Sequence, residues 1–204
     1  MIDDPDEKSS GVLSFIYELP LLILVALVVA VVIKTFLIQA FFIPSASMLP
    51  TLEIDDRVLV NKLAYAFGEP ERADVIVFDS PFGTEAADES LMDKITRNVA
   101  EALGLRTADA ADLIKRIVAV GGDTVEIHDN RLFVNGAELP EPYLAENSIM
   151  SDMEPVEVPL GHVWVMGDNR SRSLDSRRFG AVAVENVIGR AFVRVWPFDR
   201  WGGL

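Results

Sequence analysis

The longest uninterrupted apolar pattern lies near the amino terminus. Leu19 to Ile33 contains no charged side chain, and Ser14 to Ile33 is long enough to cross a bilayer core of about 30 Å at ~1.5 Å of helix rise per residue. A core helix in so small a protein is not apolar on every face, and a cleaved leader has a basic start and a shorter apolar run. We therefore predict a polar tail over 1–13, an uncleaved transmembrane anchor over 14–35 and one large domain over 36–204.

Beyond the anchor, the pattern changes to short alternating or β-branched runs separated by turn residues. Pro44 and Pro50 exclude a continuous helix just after the anchor. Turns are predicted at Asp129-Asn130 and Asn135-Gly136. The pattern is typical of a mainly β body with strands in the following stretches: Arg57–Leu63, Asp74–Phe78, Leu113–Val120, two within Asp123–Leu139, His162–Asp168 and Val187–Pro197.

One segment departs from the β pattern. From Ser90 to Leu103, apolar residues recur at helical spacing, Ser90 and Asp93 resemble a capping box, and Gly104 is a natural stop. We predict a short inserted amphipathic helix over about 89–104. It either packs on the rim of the β body or lies on a membrane surface.

Charge and composition narrow the possible partners. The 204 residues carry a net charge of −14, which argues against nucleic acid and against lying flat on anionic lipid. The chain has no cysteine, which excludes a disulfide framework and a thiol nucleophile. His128 and His162 lack acidic neighbours at metal-ligand spacing, so we predict no metal site and no cofactor. Lys8 and Lys34 flank the anchor equally, so charge does not fix its orientation.

The stretch "PSASMLP" holds two serines in a stiff setting. Pro44 and Pro50 restrict the backbone around Ser45 and Ser47, and side chains two residues apart in an extended segment point the same way. One hydroxyl could attack a carbonyl while the other stabilises the oxyanion. A simple Ser/Pro linker is the alternative, although such linkers are not usually rich in apolar residues.

A serine nucleophile needs a base, and Lys115 is a candidate. In the strand "LIKRIVAV", Lys115 shares one face with Leu113 and Ile117, and Arg116 shares the other with Ile114. Burial would lower the pKa of Lys115 and make it a competent base. Periodicity alone leaves open whether Lys115 faces the core or the solvent.

A third candidate is the stretch "GDNRSRSLDSRRFG" from Gly167 to Gly180. It follows a predicted strand and is dense in hydrogen-bonding groups, including two aspartates and four arginines. It is either a solvated loop or an ordered polar network that supports a site.

Together these segments resemble the conserved boxes of type I signal peptidases, the membrane-anchored serine proteases that remove signal peptides. The four similar stretches occur in the family's order: "PSASMLPTL", "DDRVLVNK" (Asp55 to Lys62), "KRIVAVGGDTV" (Lys115 to Val125) and "GDNRSRSLDSRRFG". The resemblance implies the antiparallel β fold shared by signal peptidases and LexA-like repressors, no cofactor, and preprotein signal peptides and the lipid bilayer as partners. It also places the domain 36–204 on the extracytoplasmic side.

The resemblance further implies a role for each matching residue. Ser47 would be the nucleophile and Lys115 the general base, with Ser45 and the Ser47 N–H forming the oxyanion hole. Ser173 would hydrogen-bond the Lys115 amine, and Asp175 and Arg177 would form a supporting ion pair. Shallow pockets for the small residues of an Ala-X-Ala motif would be lined by Phe41, Ile43, Pro44, Met48, Leu52 and Ile114, beside the strand of Lys115.

Two alternatives remain. A self-cleaving Ser–Lys repressor would carry a DNA-binding helical domain and usually a basic face, whereas this chain has an apolar anchor and a net negative charge. A membrane-anchored β module that only binds a partner would not require Ser47 and Lys115 to meet. The distance between these two side chains therefore separates the enzyme from the binding module.

Overall fold

The computed structural model describes residues 18–26, 29, 37–81 and 112–204. Residues 18–26 and 29 are helical, and no helix within the described ranges is both long and apolar enough to cross a membrane. Most of the predicted anchor over 14–35 lies outside the described residues. The predicted inserted helix over about 89–104 lies entirely outside them.

The described residues form two antiparallel sheets, which confirms a mainly β fold. The larger sheet has the strand order β1-β2-β11-β3-β4-β9-β10, with β12 paired to β11, and the smaller has the order β7-β6-β5-β8. The strands are β1 Ile38–Phe42, β2 Arg57–Asn61, β3 Val75–Asp79, β4 Asp112–Val120, β5 Thr124–His128, β6 Arg131–Val134, β7 Ala137–Glu138, β8 Met153–Glu157, β9 His162–Met166, β10 Val182–Ala183, β11 Val187–Trp196 and β12 Gly202–Gly203.

Every strand predicted from the sequence is present within a few residues of its predicted bounds. The two predicted turns also occur, with Asp129, Asn130 and Asn135 in the left-handed conformation that tight hairpin turns require. The sequence pattern missed β1 and β8, and also the two-residue strands β7, β10 and β12. β1 continues the apolar run of the anchor, and β8 contains Pro155, which usually argues against a strand.

β4 is an interior strand of the larger sheet, covered on both faces. It pairs with β3 through Val75↔Arg116 and with β9 through Arg116↔Met166. Lys115 is 2% exposed and Arg116 6% exposed, so alternation along the strand turns neither side chain to solvent. Two charge-bearing side chains are therefore held inside the protein on consecutive residues.

Candidate active site

Ser47 lies in a single 3-10 turn, Ala46–Met48, which begins four residues after the end of β1 at Phe42. The sequence predicted an extended segment here. That prediction is wrong for Ala46–Met48, although Ser45 itself is extended. The turn buries Ser47 and brings the Ser45 Oγ to 3.3 Å from the Ser47 Oγ. The two hydroxyls still lie side by side, as the sequence led us to expect.

Lys115 meets Ser47 inside the protein. The Lys115 Nζ donates a hydrogen bond of 2.8 Å to the Ser47 Oγ and one of 2.8 Å to the Ile114 carbonyl oxygen. Burial lowers the pKa of Lys115 from 10.5 to about 8, and the negative charges of Asp175 and Asp168 oppose part of this fall. A substantial fraction of Lys115 is therefore neutral near pH 8 and able to accept a proton.

Arg116 and Asp168 form a buried ion pair behind this site. The Arg116 Nε lies 2.9 Å from Asp168 Oδ1, and a second guanidinium nitrogen lies 2.7 Å from Oδ2, a bidentate geometry. Thr51 also donates to Asp168, and Arg116 donates to the Ala73 carbonyl oxygen. The sequence analysis gave Arg116 no role. A buried arginine needs an acidic partner, and Asp168 was present in the polar stretch after β9.

The polar stretch from Gly167 to Gly180 is an ordered network rather than a solvated loop. Asp175 accepts hydrogen bonds from the Gly167 N–H and from Arg177, the latter at 2.8 Å. Arg177 also donates to the Arg170 carbonyl oxygen, and Arg170 donates to the Gly167 carbonyl oxygen. The predicted ion pair of Asp175 and Arg177 thus closes a ring of hydrogen bonds that fixes the loop.

The same loop holds the backbone of the serine turn. The Asn169 N–H donates to the Ser47 carbonyl oxygen at 3.0 Å, and the Asn169 side-chain amide donates to the Ala46 carbonyl oxygen at 3.0 Å. These two bonds set the orientation of the peptide groups next to Ser47. Sequence reasoning noted Asn169 only as one of many polar groups.

Ser173 does not make the predicted hydrogen bond to Lys115. Its Oγ is buried and has no hydrogen-bond partner in the described part of the protein, because Lys115 donates to Ile114 and Ser47 instead. Ser173 nevertheless borders the site: a Cβ on Gly167 would overlap both the Ser173 hydroxyl and the Ser47 carbonyl oxygen. Glycine at position 167 therefore lets these groups approach closely.

A second brace comes from the segment that joins β7 and β8 of the smaller sheet. Glu141 forms an ion pair with Arg170, whose side chain is fully buried, and accepts a hydrogen bond from the Tyr143 hydroxyl. The Tyr143 ring lies 4.1 Å from the Arg116 guanidinium, a cation–π distance. Neither Glu141 nor Tyr143 stood out in the sequence, because no local motif links them to residues so distant in the chain.

A narrow apolar cleft lies next to the Ser47–Lys115 pair. Four of the residues predicted to line substrate pockets border it, namely Phe41, Ile43, Pro44 and Ile114. The other two, Met48 and Leu52, are fully buried and pack in the same core cluster. The cleft is narrow, with a cavity volume of about 10 Å³.

One edge of β4 has no strand partner beside this cleft, within the described residues. Leu113, Ile114 and Lys115 pair with β3, whereas β9 first pairs with β4 at Arg116. No described strand lies along the other side of these three residues. An extended peptide could therefore add to the sheet there through main-chain hydrogen bonds.

The site contains a buried serine, a lysine of lowered pKa in contact with it, and an adjacent hydroxyl. These are the groups that a serine hydrolase needs. Comparison with known proteins agrees. The family model "Signal peptidase, peptidase S26" matches residues 16–196. Signal peptidase I of Mycobacterium tuberculosis is 39% identical over 97% of this chain and 78% of its own length.

Two further relatives extend the comparison. Signal peptidase I of Leptolyngbya laminosa is 37% identical over 88% of this chain and 79% of its own length. A protein of Arabidopsis thaliana named thylakoidal processing peptidase 1, chloroplastic, is 36% identical over 96% of this chain and 55% of its own length. A crystal structure of a signal peptidase I from Enterococcus faecalis covers 60% of this chain and 97% of its own, with 28% identity and a TM-score of 0.43.

The chain belongs to the signal peptidase family, peptidase S26. It is a serine endopeptidase, and its activity is that of a signal peptidase, which releases signal peptides from preproteins. The buried Ser47 and Lys115 supply the two residue types of the Ser–Lys dyad that characterises the family.

Proposed function

We propose that Ser47 is the nucleophile and Lys115 the general base in hydrolysis of the peptide bond after an Ala-X-Ala motif. Neutral Lys115 takes the proton of the Ser47 hydroxyl as its Oγ attacks the scissile carbonyl. Lys115 then gives this proton to the leaving amine, and the signal peptide stays attached to Ser47 as an ester. Water, deprotonated by Lys115, hydrolyses the ester and restores Ser47.

The observation that carries this proposal is the direct contact within the protein. The Lys115 Nζ lies 2.8 Å from the Ser47 Oγ, and Lys115 is 2% exposed with a pKa of about 8. A binding module would have no reason to bury a lysine against a serine, because the desolvation destabilises the fold. A base needs hydrogen-bond contact and a pKa near the working pH, and Lys115 has both.

In the proposal, the oxyanion is stabilised by the Ser45 hydroxyl and the Ser47 N–H. The hydroxyl of Ser45 is already within 3.3 Å of the Ser47 Oγ, so a small rotation would direct it to a bound carbonyl. Ser173 would orient the Lys115 amine in the substrate complex. A buried hydroxyl without a partner costs about 1–3 kcal/mol, which supports a partner for Ser173 in another step of the reaction.

We assign the small residues before the cut to the cleft between β1 and β4. Phe41, Ile43, Pro44 and Ile114 would contact these side chains, and the open side of β4 would bind the peptide backbone. Met48 and Leu52 would shape the cleft from beneath, since they have no exposed surface.

We further propose that residues 14–35 anchor the protein in a bilayer, with residues 36–204 on the extracytoplasmic side. Exposed aromatic residues support a lipid surface close to the site. Phe42 and Trp196 both pair with Arg57, which puts them in one row across three strands, next to the turn that carries Ser47. Phe198 packs against Trp196 at 4.9 Å and is also exposed. Aromatic side chains are favoured at membrane–water interfaces.

Cleavage of a purified preprotein in detergent tests this function. We expect the full chain to cut after the second alanine of Ala-X-Ala, as read by mass spectrometry of both products. A matched preprotein with leucine in place of that alanine should be cut at least about tenfold more slowly, because the cleft has no room for the larger side chain. Equal rates for the two preproteins, or a cut elsewhere, would overturn the assignment of the cleft.

A further inference from the structure

Asn169 holds both peptide groups that flank Ser47. Its main-chain N–H donates to the Ser47 carbonyl oxygen at 3.0 Å, and its side-chain Nδ2 donates to the Ala46 carbonyl oxygen at 3.0 Å. The Ala46 carbonyl also accepts a hydrogen bond from the Leu49 N–H within the turn, but at 3.3 Å, which is longer than most N–H···O bonds. The Asn169 side chain therefore makes the shorter of the two bonds to this carbonyl.

The Ala46 carbonyl and the Ser47 N–H belong to one peptide group. That peptide bond is trans, so its C=O and its N–H point in opposite directions within one plane. A donor that is fixed on the carbonyl side consequently fixes the direction of the N–H on the other side. In the proposed function this N–H is one of the two donors to the oxyanion, and such donors act only when they are directed at the position that the oxyanion will occupy.

Asn169 is itself held from both sides along the chain. Asp168, the residue before it, forms the buried ion pair with Arg116, and Arg170, the residue after it, forms an ion pair with Glu141. Asp168 is 0% exposed and Arg170 is 3% exposed. Because its backbone is fixed in this way, the Asn169 side chain can hold another peptide group in a defined orientation.

We propose that Asn169 is a positioning residue of the oxyanion hole, which directs the Ser47 N–H to the scissile carbonyl by binding the Ala46 carbonyl. The inference rests on the proposed function, in which Ser47 attacks and its N–H stabilises the oxyanion. A hydrogen bond to the carbonyl also polarises the peptide group, which strengthens the N–H as a donor. Asn169 acts through this peptide group and needs no contact with the substrate.

The test is Asn169→Ala in the full chain in detergent. This variant keeps the main-chain bond to Ser47 and removes the side-chain bond to Ala46. Because the oxyanion forms only on the way through the transition state, we expect kcat for an Ala-X-Ala preprotein to fall about 10- to 100-fold, while KM changes less than about twofold. The midpoint of the pH profile should stay at its wild-type value, since the contact of Lys115 with Ser47 is kept.

Two inhibitors separate positioning of the oxyanion hole from support of the fold. An Ala-X-Ala peptide aldehyde reacts with the enzyme: the Ser47 Oγ bonds to the aldehyde carbon, the hydroxyl proton passes to Lys115, and the C=O π electrons move to the oxygen, which then lies in the oxyanion hole. The matching peptide alcohol binds without reaction. Asn169→Ala should weaken inhibition by the aldehyde by about the same factor as kcat/KM, and inhibition by the alcohol by less than about twofold. An equal loss for both inhibitors would overturn the proposal.

A second variant and a matched control complete the set. The carboxylate in Asn169→Asp has the same shape but cannot donate to the Ala46 carbonyl, so kcat at its alkaline plateau should fall at least as far as in Asn169→Ala. The control is Asn135→Gly. Asn135 holds a turn of the smaller sheet through side-chain hydrogen bonds with Thr124 and Asp123, and glycine suits its left-handed backbone. We expect the control to keep the wild-type kcat and the wild-type inhibition by the aldehyde.

The inference and the proposed function fail in different ways. All rates are measured at a temperature at which circular dichroism shows each variant to be folded. Values of kcat within about twofold of wild type in Asn169→Ala and Asn169→Asp would overturn the inference and leave the proposed function intact. A loss in Asn135→Gly as large as that in Asn169→Ala would also overturn it. If Ser47→Ala cuts the preprotein at the wild-type rate, the nucleophile lies elsewhere and both are wrong.

Discussion

Replacing Ser47 with alanine or Lys115 with methionine is expected to lower kcat/KM for preprotein cleavage by at least about 10⁴-fold. The first change removes the attacking oxygen, and the second removes the group that accepts its proton at 2.8 Å. The matched control is Ser171→Ala, an exposed serine of the adjacent loop, which should retain wild-type activity. Near-normal cleavage by either active-site variant would show that the nucleophile or the base lies elsewhere.

Lys115→Met should also stabilise the folded protein, which separates loss of catalysis from loss of folding. The folded-state pKa of about 8 lies below the ordinary 10.5, so at neutral pH folding must bury a charged amine. Burial of the charged amine destabilises the folded protein by about 3 kcal/mol at most. The variant gains less than this, because it also loses the hydrogen bonds of Lys115 to Ser47 and Ile114. We expect denaturant unfolding at pH 7 to show a gain of about 1–2 kcal/mol. The gain should shrink as pH rises from 8 to 10.5, because the buried amine is then neutral and the cost of deprotonating the unfolded lysine falls with each pH unit.

The second large effect is expected at the buried ion pair. Asp168→Ala leaves the Arg116 guanidinium buried without its countercharge and should lower the free energy of unfolding by about 3–5 kcal/mol. Chemical denaturation followed by circular dichroism measures this change. The double variant Arg116→Met with Asp168→Leu should recover at least half of the loss, because it removes the unpaired charge.

An exposed ion pair is the control for this prediction. Arg131 and Glu138 lie 3.1 Å apart on the small sheet, and both are more than half exposed. Glu138→Ala should change the free energy of unfolding by less than about 1 kcal/mol. If Asp168→Ala also lowers the free energy of unfolding by less than about 1 kcal/mol, the prediction is wrong. Arg116 would then reach water or another acid when its partner is removed.

The strands could be predicted because hydrophobic alternation and turn residues are local signals. β2, β3, β4 and β11 begin and end near the predicted positions. β1 could not, because only Lys34 and Thr35 separate its apolar stretch from the apolar run of the anchor. Its pairing with β2, which positions the Ser47 turn, depends on residues that lie about twenty positions later in the chain.

Some features of the candidate site could likewise be predicted from the sequence, and others could not. Ser47 and Lys115 could be predicted from stiff local sequence and from the resemblance to signal peptidases. The burial of Lys115 could not, because it depends on the Ser47 turn and on the loop of Asp168 and Asp175, which come from distant parts of the chain. The braces from Glu141 and Tyr143 were missed for a similar reason: they are contacts between distant segments, and neither residue carries a local motif.

The most direct test of the central claim, that neutral Lys115 activates Ser47, is the pH dependence of kcat/KM for preprotein cleavage. Burial lowers the pKa of Lys115 to about 8, and only the unprotonated amine can accept the Ser47 proton. We predict that kcat/KM rises about tenfold per pH unit below pH 7, has its midpoint near pH 8 and levels off above pH 9. A flat profile between pH 6 and pH 10 would contradict the assignment of Lys115 as the base.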